Sequence, residues 1–111
     1  MANNKRVLIA DDEPEIRKML LEVLTLKGYK EVDVVCCGRS AYLLAPVEYD
    51  LVLLDVNMPG MNGEDAAHLI SAFSVNKNVV LMTGYDFESD DFVIIRKPFD
   101  MNDIFNLIET A

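Results

Sequence analysis

The sequence predicts one α/β domain in which a parallel sheet is covered by helices on both faces. The length of 111 residues suits a single domain, and 51% of the residues are apolar, which is enough for a sizeable core. Short runs that are apolar at every position alternate with segments of helical periodicity. Strands buried on both faces of a parallel sheet have this pattern, whereas strands exposed on one face alternate apolar and polar residues.

The first half of the chain alternates three predicted strands with two predicted helices. Pro14 suits the first turn of a helix, where its missing N–H is tolerated, and Gly28 suits the end of that helix. Apolar residues at helical spacing between them mark a buried face. The second helix is short and ends near Pro46. The predicted strands are residues 7–10, 31–36 and 51–54, and the predicted helices are residues 14–28 and 40–45.

The second half continues the alternation with one interruption. A loop rich in proline, glycine and asparagine spans residues 57–63 and precedes a helix that is apolar at positions 66, 69, 70 and 73. Strands are predicted at residues 79–82 and 93–95, with an acidic, irregular stretch at residues 85–91 between them. Asp100 resembles the cap of a last helix, whose apolar positions are 104, 107 and 108.

Composition excludes several classes of function. The net charge of −9 would repel a polyanion, so nucleic acid is not expected as a direct partner. No apolar run has the length of a membrane helix, and the apolar segment after residues 1–6 is too short for a signal peptide. A cytoplasmic location is therefore expected. The two cysteines, Cys36 and Cys37, are adjacent and are expected to be reduced.

Polar residues follow four of the predicted strands. Asp11 and Asp12 follow the first strand and Asp55 follows the third, while Thr83 and Lys97 end the fourth and fifth. The carboxyl ends of parallel strands share one edge of the sheet, so these side chains should face a common crevice. Three clustered carboxylates repel one another, and a divalent cation relieves that repulsion. Oxygen ligands favour Mg²⁺, held by Asp12 and Asp55, with Asp11 close behind or coordinating through water, and with a main-chain carbonyl after Asp55 as a further ligand.

Four segments together resemble the signature motifs of response-regulator receiver domains, in order and over nearly the whole chain. The resemblance implies a flavodoxin-like, doubly wound sheet of five parallel strands in the order 2-1-3-4-5. The segments are Asp-Asp-Glu-Pro at residues 11–14, Leu-Leu-Asp-Val-Asn-Met-Pro-Gly-Met-Asn-Gly at 53–63, Met-Thr-Gly at 82–84 and Arg-Lys-Pro-Phe at 96–99.

The resemblance also implies roles for individual residues. Asp55 would attack the phosphorus of a phosphohistidine on a sensor kinase or phosphotransfer protein. Asp11, Asp12, Asp55 and the main-chain oxygen of Asn57 would hold Mg²⁺. Lys97 and the Thr83 hydroxyl would bind phosphoryl oxygens, and the new charge would switch binding to a downstream protein. Such domains catalyse their own phosphorylation and dephosphorylation but are not metabolic enzymes.

The chain departs from the receiver pattern between Thr83 and Lys97. About two helical turns are missing there, so the usual fourth helix is expected to be reduced or absent, and the dimer that many receivers form through it is in doubt. Ile94 occupies the position of the usual aromatic switch residue. Tyr85 either replaces that residue or is an exposed loop aromatic. His68 is expected at an exposed helical position with no metal or phosphoryl role.

Two alternatives remain open from the sequence. A pseudo-receiver would bind partners without phosphate, and the shortened segment is its motivation. A flavodoxin-like redox protein would need a hydroxyl-rich phosphate loop after the first strand, where this chain has residues 11–14, with their three acids. The sequence does not decide whether residues 1–111, read as one receiver domain, are a stand-alone protein or part of a longer chain.

Overall fold

The computed structural model describes residues 3–111 and contains five strands and four helices in this range. The strands are β1 (Asn3–Ala10), β2 (Tyr29–Val35), β3 (Leu51–Asp55), β4 (Val79–Thr83) and β5 (Val93–Arg96), and the helices are α1 (Pro14–Lys27), α2 (Gly38–Leu43), α3 (Gly63–Phe73) and α4 (Met101–Glu109). The strands are all parallel and lie in the order β2-β1-β3-β4-β5. The predicted fold class and strand order are confirmed.

Several element ends differ from the prediction by one to four residues. β1 begins before the apolar run, because polar residues at its start pair with the start of β2. β2 ends at Val35, the last residue in register with β1. α2 begins at Gly38, because Cys37 has the extended backbone of a residue that precedes a helix. Met1 and Ala2, part of the segment that argues against a signal peptide, lie outside the described residues.

The sheet separates two apolar layers. Leu8, Val52 and Leu54 point toward α2 and α3, and they pack with buried residues such as Ile70. Side chains at the alternate strand positions point toward α1 and α4, as the two-residue repeat of a strand requires. The core residues of this second layer are Val7, Ile9, Leu20, Leu24, Tyr29, Leu51, Leu53, Val80, Met82, Ile104 and Ile108. Burial on both faces explains why the strands are apolar throughout.

The segment between β4 and β5, residues 84–92, contains no helix. Phe87 and Phe92 pack against the α2–α3 layer of the core. At the surface, Arg96 forms an ion pair with Asp86. The prediction that the fourth helix of the family is reduced or absent is therefore confirmed, and a short loop anchored by two phenylalanines takes its place. Within residues 3–111, no helix has the length and apolar character needed to span a membrane.

Candidate functional site

The carboxyl ends of the strands bring the predicted site residues to one edge of the sheet. Asp11 directly follows β1, Asp55 and Thr83 are the last residues of β3 and β4, and Lys97 directly follows β5. The register aligns Asp55 with Met82 and Thr83 with Arg96, so the strand ends are level. Asp11, Asp55 and Thr83 are almost completely buried. These polar groups therefore lie at the floor of a crevice and not on an open surface.

Lys97 links the carboxylates of this crevice. Its Nζ donates to Asp11 Oδ2 at 2.7 Å and to Glu13 Oε1 at 3.3 Å, and it lies 3.5 Å from Asp55 Oδ2. The side chain of Lys97 is 14% exposed, so its ion pairs with the buried Asp11 and Asp55 are largely shielded from water. The Lys97 amide also donates to the Thr83 carbonyl at 2.7 Å, which fixes the point where the chain leaves β5. The Lys97–Pro98 peptide bond is cis.

Burial and neighbouring charge shift the ionisation of two groups. Burial raises the pKa of Asp55 to about 6; the charge of Asp11 adds to this rise, and the charge of Lys97 opposes it. Burial alone would lower the pKa of Lys97, but the hydrogen bond and charge of Asp11, with the charge of Asp55, raise it above its ordinary value. Lys97 thus stays charged, whereas ionisation of Asp55 is unfavourable. A further cation near Asp55 would reduce that free-energy cost.

An acidic cluster of four residues can offer oxygen ligands to a metal ion. One carboxylate oxygen each from Asp11, Asp12, Glu13 and Asp55 lies within 4.8 Å of the others. Asp12 and Glu13 are exposed, so the cluster is open to solvent on one side. Hard oxygen donors with room for water are the ligands that Mg²⁺ prefers. The residues present therefore fit this ion.

The loop after β3 begins beside the Asp55 carboxylate. The Asn57 amide donates to Asp55 Oδ1 at 3.4 Å, so the main chain of Asn57 lies beside the acceptor carboxylate. Gly63 lies against the main chain of Asp55, and a Cβ at this position would be 2.1 Å from the Asp55 carbonyl oxygen. Only glycine allows α3 to begin this close to the end of β3.

The Thr83 hydroxyl is satisfied by main-chain groups of Tyr85. Thr83 Oγ1 lies 3.2 Å from both the amide nitrogen and the carbonyl oxygen of Tyr85. The Tyr85 ring is about half exposed and contacts the ring of Phe87 edge-on. The hydroxyl that the sequence assigns to phosphoryl binding is thus coupled to the segment that follows β4.

Sequence reasoning missed two contacts of the site. Glu13 interacts with Lys97 and completes the acidic cluster, and its position directly after Asp12 was the available signal. Arg17 donates through its guanidinium to the Asp11 carbonyl at 2.8 Å, which is possible because Arg17 lies one helical turn after Glu13.

His68 is half exposed. Its ring lies edge-on against Phe92, and the side chain is also near the acidic segment between β4 and β5.

Comparison with known proteins gives consistent matches. The family description "Response regulator receiver domain" matches residues 7–109. The chain is 34% identical to the regulatory protein AtoC of Escherichia coli, over 96% of this chain and 25% of AtoC. It is 32% identical to the response regulator receiver protein CpdR of Brucella abortus, over 95% of this chain and 94% of CpdR. The chain thus spans a quarter of one of these curated relatives and nearly all of the other.

Solved structures of the response regulator TrrA are also similar. TrrA of Thermotoga maritima in complex with Mg(2+)-BeF is 33% identical, with a TM-score of 0.74, over 93% of this chain and 98% of TrrA. A structure of histidine kinase ThkA in complex with TrrA gives 32% identity and a TM-score of 0.81, over 96% of this chain and 97% of the matched chain. The range matched by the family description, residues 7–109, includes the site residues from Asp11 to Lys97.

Proposed function

The chain belongs to the response regulator receiver family of two-component systems, and we propose that Asp55 is its phosphoryl acceptor. The observation that carries this proposal is the position of Asp55 at the end of β3, buried in a crevice with Asp11 on one side and Lys97 on the other. A carboxylate held between a metal-binding acid and a lysine can act as a nucleophile whose product is charge-compensated.

The acceptor reaction requires the ionised form of Asp55. A carboxylate oxygen of Asp55 forms a bond to phosphorus, and the bond from phosphorus to the donor breaks, with its electron pair leaving on the donor. When the donor is a phosphohistidine, that pair returns to the imidazole nitrogen. Lys97 Nζ lies 3.5 Å from Asp55 Oδ2 and would pair with an oxygen of the transferred group.

Asp11, Asp12, Asp55 and the main-chain oxygen of Asn57 would hold Mg²⁺, and Glu13 lies close enough to assist. When bound, the ion would neutralise charge on the phosphoryl oxygens. The chain's own residues prepare for this, because Asp11 is positioned by the amide of Glu13, which donates to Asp11 Oδ1 at 2.9 Å. The Mg(2+)-BeF complex of the relative TrrA supports a metal in this family's site.

A sensor histidine kinase or phosphotransfer protein is the proposed donor, in the cytoplasm, and a downstream protein is the proposed reader. The ThkA–TrrA complex supports a kinase partner. A groove of about 420 Å³ beside Lys97, lined partly by Ile16, Met19 and Phe99, gives a donor protein an apolar surface next to the acceptor. The Thr83 hydroxyl would turn from Tyr85 to the phosphoryl group and so alter the segment that a reader contacts.

The two other readings have less support. A pseudo-receiver would tolerate loss of the acceptor chemistry. This chain instead has an acid at the end of β3, a hydroxyl at the end of β4 and an amine directly after β5. A flavin-binding protein would place a phosphate near Asp11 and Asp12, whose charges would repel it.

The test is phosphoryl labelling followed by intact mass. The purified chain is incubated with Mg²⁺ and acetyl phosphate, and we expect one added phosphoryl group that is absent in Asp55→Asn. The matched control is Asp50→Asn, the same substitution at the residue directly before the start of β3. Asp50 accepts a hydrogen bond from the Arg6 amide. Equal labelling of the wild type and Asp55→Asn, or no labelling of the wild type, would refute the proposal.

A further inference from the structure

The outer side of β5, which faces away from β4, has main-chain groups without partners. β5 is the last strand of the sheet and pairs with β4 alone. The register aligns Thr83 with Arg96, and the Thr83 carbonyl accepts from the Lys97 amide. Main-chain groups alternate in direction along a strand, so those of Ile95 point toward β4 and those of Ile94 and Arg96 point outward. In the described part of the chain, no hydrogen bond reaches these outward groups.

The two edges of the sheet differ in their protection against an added strand. β2, at the opposite edge, carries the charged residues Lys30, Glu31 and Asp33. Charged side chains on an edge strand discourage pairing with another chain. β5 has the sequence Val-Ile-Ile-Arg, and Val93 at its start is 61% exposed. The β5 edge is therefore the apolar edge of the sheet and the one open to pairing.

A groove lies beside this edge on each face of the sheet. The first groove, of about 290 Å³, lies between β5 and α4, and its apolar lining includes Val93 and Leu107. The second groove, of about 360 Å³, lies between β5 and the β4–β5 segment (residues 84–92), and its lining includes Glu88 and Asp90. Neither groove is lined by a residue of the acceptor crevice. Because successive side chains of a strand point to opposite faces, an added strand would direct its side chains alternately into the two grooves.

The charges beside the edge are predominantly negative. Glu88 and Asp90 are exposed, whereas Arg96, the basic residue of the same groove, already forms an ion pair with Asp86. Asp103 adds an acid to the groove beside α4. A second copy of the chain has the same net charge of −9 and would bring the same acids to the contact. Charge complementarity therefore favours a basic partner over a second copy.

We propose that the β5 edge binds an extended segment of a partner protein in which apolar and basic residues alternate. The main chain of this segment would pair with the outward groups of Ile94 and Arg96 as an added strand. Its apolar side chains would enter the groove beside α4 and cover Val93. Its lysine or arginine side chains would enter the opposite groove, near Glu88 and Asp90. This binding adds a partner surface to the acceptor function and does not depend on phosphorylation.

The first experiment measures amide hydrogen exchange by NMR in the unphosphorylated chain with the synthetic peptide acetyl-Lys-Val-Lys-Ile-Lys-Val-Lys-amide. At saturation, exchange of the Ile94 and Arg96 amides should slow by about tenfold, because each amide gains a hydrogen bond or is shielded from water. The Ile95 amide already points toward β4, so its exchange should slow at least about threefold less. Binding without this protection, or no binding at about 1 mM peptide, would overturn the proposal.

The second experiment compares affinities by fluorescence anisotropy of labelled peptides. The block peptide acetyl-Lys-Lys-Lys-Lys-Val-Ile-Val-amide has the same composition but does not alternate, and it should bind about tenfold more weakly. Glu88→Lys/Asp90→Lys should weaken binding of the alternating peptide by about tenfold. The matched control, Glu22→Lys/Glu48→Lys, changes the net charge equally at two exposed acids outside both grooves and should weaken binding by less than about threefold. Equal affinity for the two peptides, or equal effects of the two double variants, would show only general charge attraction and would overturn the proposal.

Sedimentation of the chain without peptide tests the competing occupant, a second copy. We expect a monomer whose Ile94 and Arg96 amides exchange at rates that do not depend on protein concentration. A dimer that protects these amides would assign the edge to a second copy and overturn the proposal. All of these measurements use unphosphorylated protein, so absence of acetyl phosphate labelling would count against the proposed function and not against the β5 edge.

Discussion

Asp55 is a residue whose placement favours chemistry over stability. A single carboxyl at the end of a buried strand lies beside another buried acid, Asp11, and Lys97 only partly offsets their repulsion, so the pKa of Asp55 rises to about 6. A raised pKa means that ionising this carboxyl is harder in the folded chain than in the unfolded chain. The fold therefore gains stability when this charge is removed or is met by a cation.

Asp55→Asn should stabilise the metal-free protein at neutral pH and above. Below the ordinary pKa of 3.8 the carboxyl is protonated in both states, and as the pH rises from there to about 6 the wild type loses stability that the amide does not lose. The gain should reach about 1–3 kcal/mol in the free energy of unfolding. Urea unfolding in the presence of a chelator measures it.

The control for this prediction is Asp103→Asn, an exposed acid in the first turn of α4, which should change stability by no more than about 0.5 kcal/mol. The sign of the pH dependence is diagnostic. If the stability gap between Asp55→Asn and the wild type were to widen as the pH falls from about 7 to about 4, the carboxylate would be stabilising, contrary to the geometry described.

Thr83 is predicted to transmit the state of Asp55 through the hydrogen bonds it makes now. If its hydroxyl turns to a phosphoryl oxygen, the Tyr85 amide loses its present acceptor at 3.2 Å. Phosphorylation should therefore speed hydrogen exchange at Tyr85 by about fivefold, consistent with loss of one hydrogen bond worth about 1 kcal/mol. Exchange with and without acetyl phosphate measures this effect.

Two variants of Thr83 make this test specific. Thr83→Ser keeps the hydroxyl and should keep the response of the Tyr85 amide, whereas Thr83→Ala should show fast exchange in both states. An unphosphorylated Thr83→Ala protein that protects the Tyr85 amide as well as the wild type does would show that the hydroxyl is not its acceptor.

At the scale of elements, the junction between β3 and α3 determines the shape of the acceptor loop. Gly63 begins α3 in contact with Asp55, and Asn62 caps the helix by accepting from the Asp65 amide at 2.9 Å. The junction is tight because the helix packs on the strand that it follows. A side chain at Gly63 would have to separate them.

Gly63→Ala should destabilise the protein by about 2–4 kcal/mol, because its Cβ would overlap the Asp55 carbonyl at 2.1 Å and backbone cannot move aside cheaply. Gly84→Ala is the matched control: no atom lies within 4 Å of a Cβ at that position, so its effect should be within about 0.5 kcal/mol of zero. Thermal unfolding compares the two. Similar losses of stability in both variants would contradict the close contact at Gly63.

The segment between β4 and β5 shows what the sequence could predict at this scale. The short interval between Thr83 and Lys97 was enough to predict a missing helix, because a helix has a fixed rise per residue. The sequence could not predict what replaces it. Phe87 and Phe92 pack against the α2–α3 layer of the core, and this is a tertiary contact that no local pattern signals.

At the scale of the whole molecule, the confirmed strand order and the predicted site rest on the same sequence pattern. Runs such as residues 51–54 are apolar on both faces, so parallel pairing follows, and parallel pairing brings every strand end to one edge. The predicted ends of the elements were less accurate. α2 begins two residues before its predicted start, at Gly38, which lies against Met61, and no local pattern signals this tertiary contact. The Glu13–Lys97 ion pair joins residues 84 positions apart, and no local pattern signals it.

The net charge of −9 and the acidic cluster lead to different predictions about added salt. A comparison of MgCl₂ with NaCl distinguishes these predictions. Any salt screens general repulsion and stabilises the fold modestly. A specific site adds a further term, because an ion that binds only the folded chain stabilises it by about 2.7 kcal/mol at a concentration 100 times its dissociation constant. We therefore expect MgCl₂ to raise the melting temperature beyond NaCl of equal ionic strength.

Asp12→Asn should remove only the specific term. Asp12 is an exposed member of the acidic cluster, so its amide variant should fold normally, respond to NaCl as the wild type does, and lose the additional stabilisation by MgCl₂. Thermal unfolding of both proteins across matched salt series provides the comparison. If MgCl₂ and NaCl stabilised the wild type equally, its acidity would act only as diffuse charge, and the cluster at the ends of β1 and β3 would not be a magnesium site.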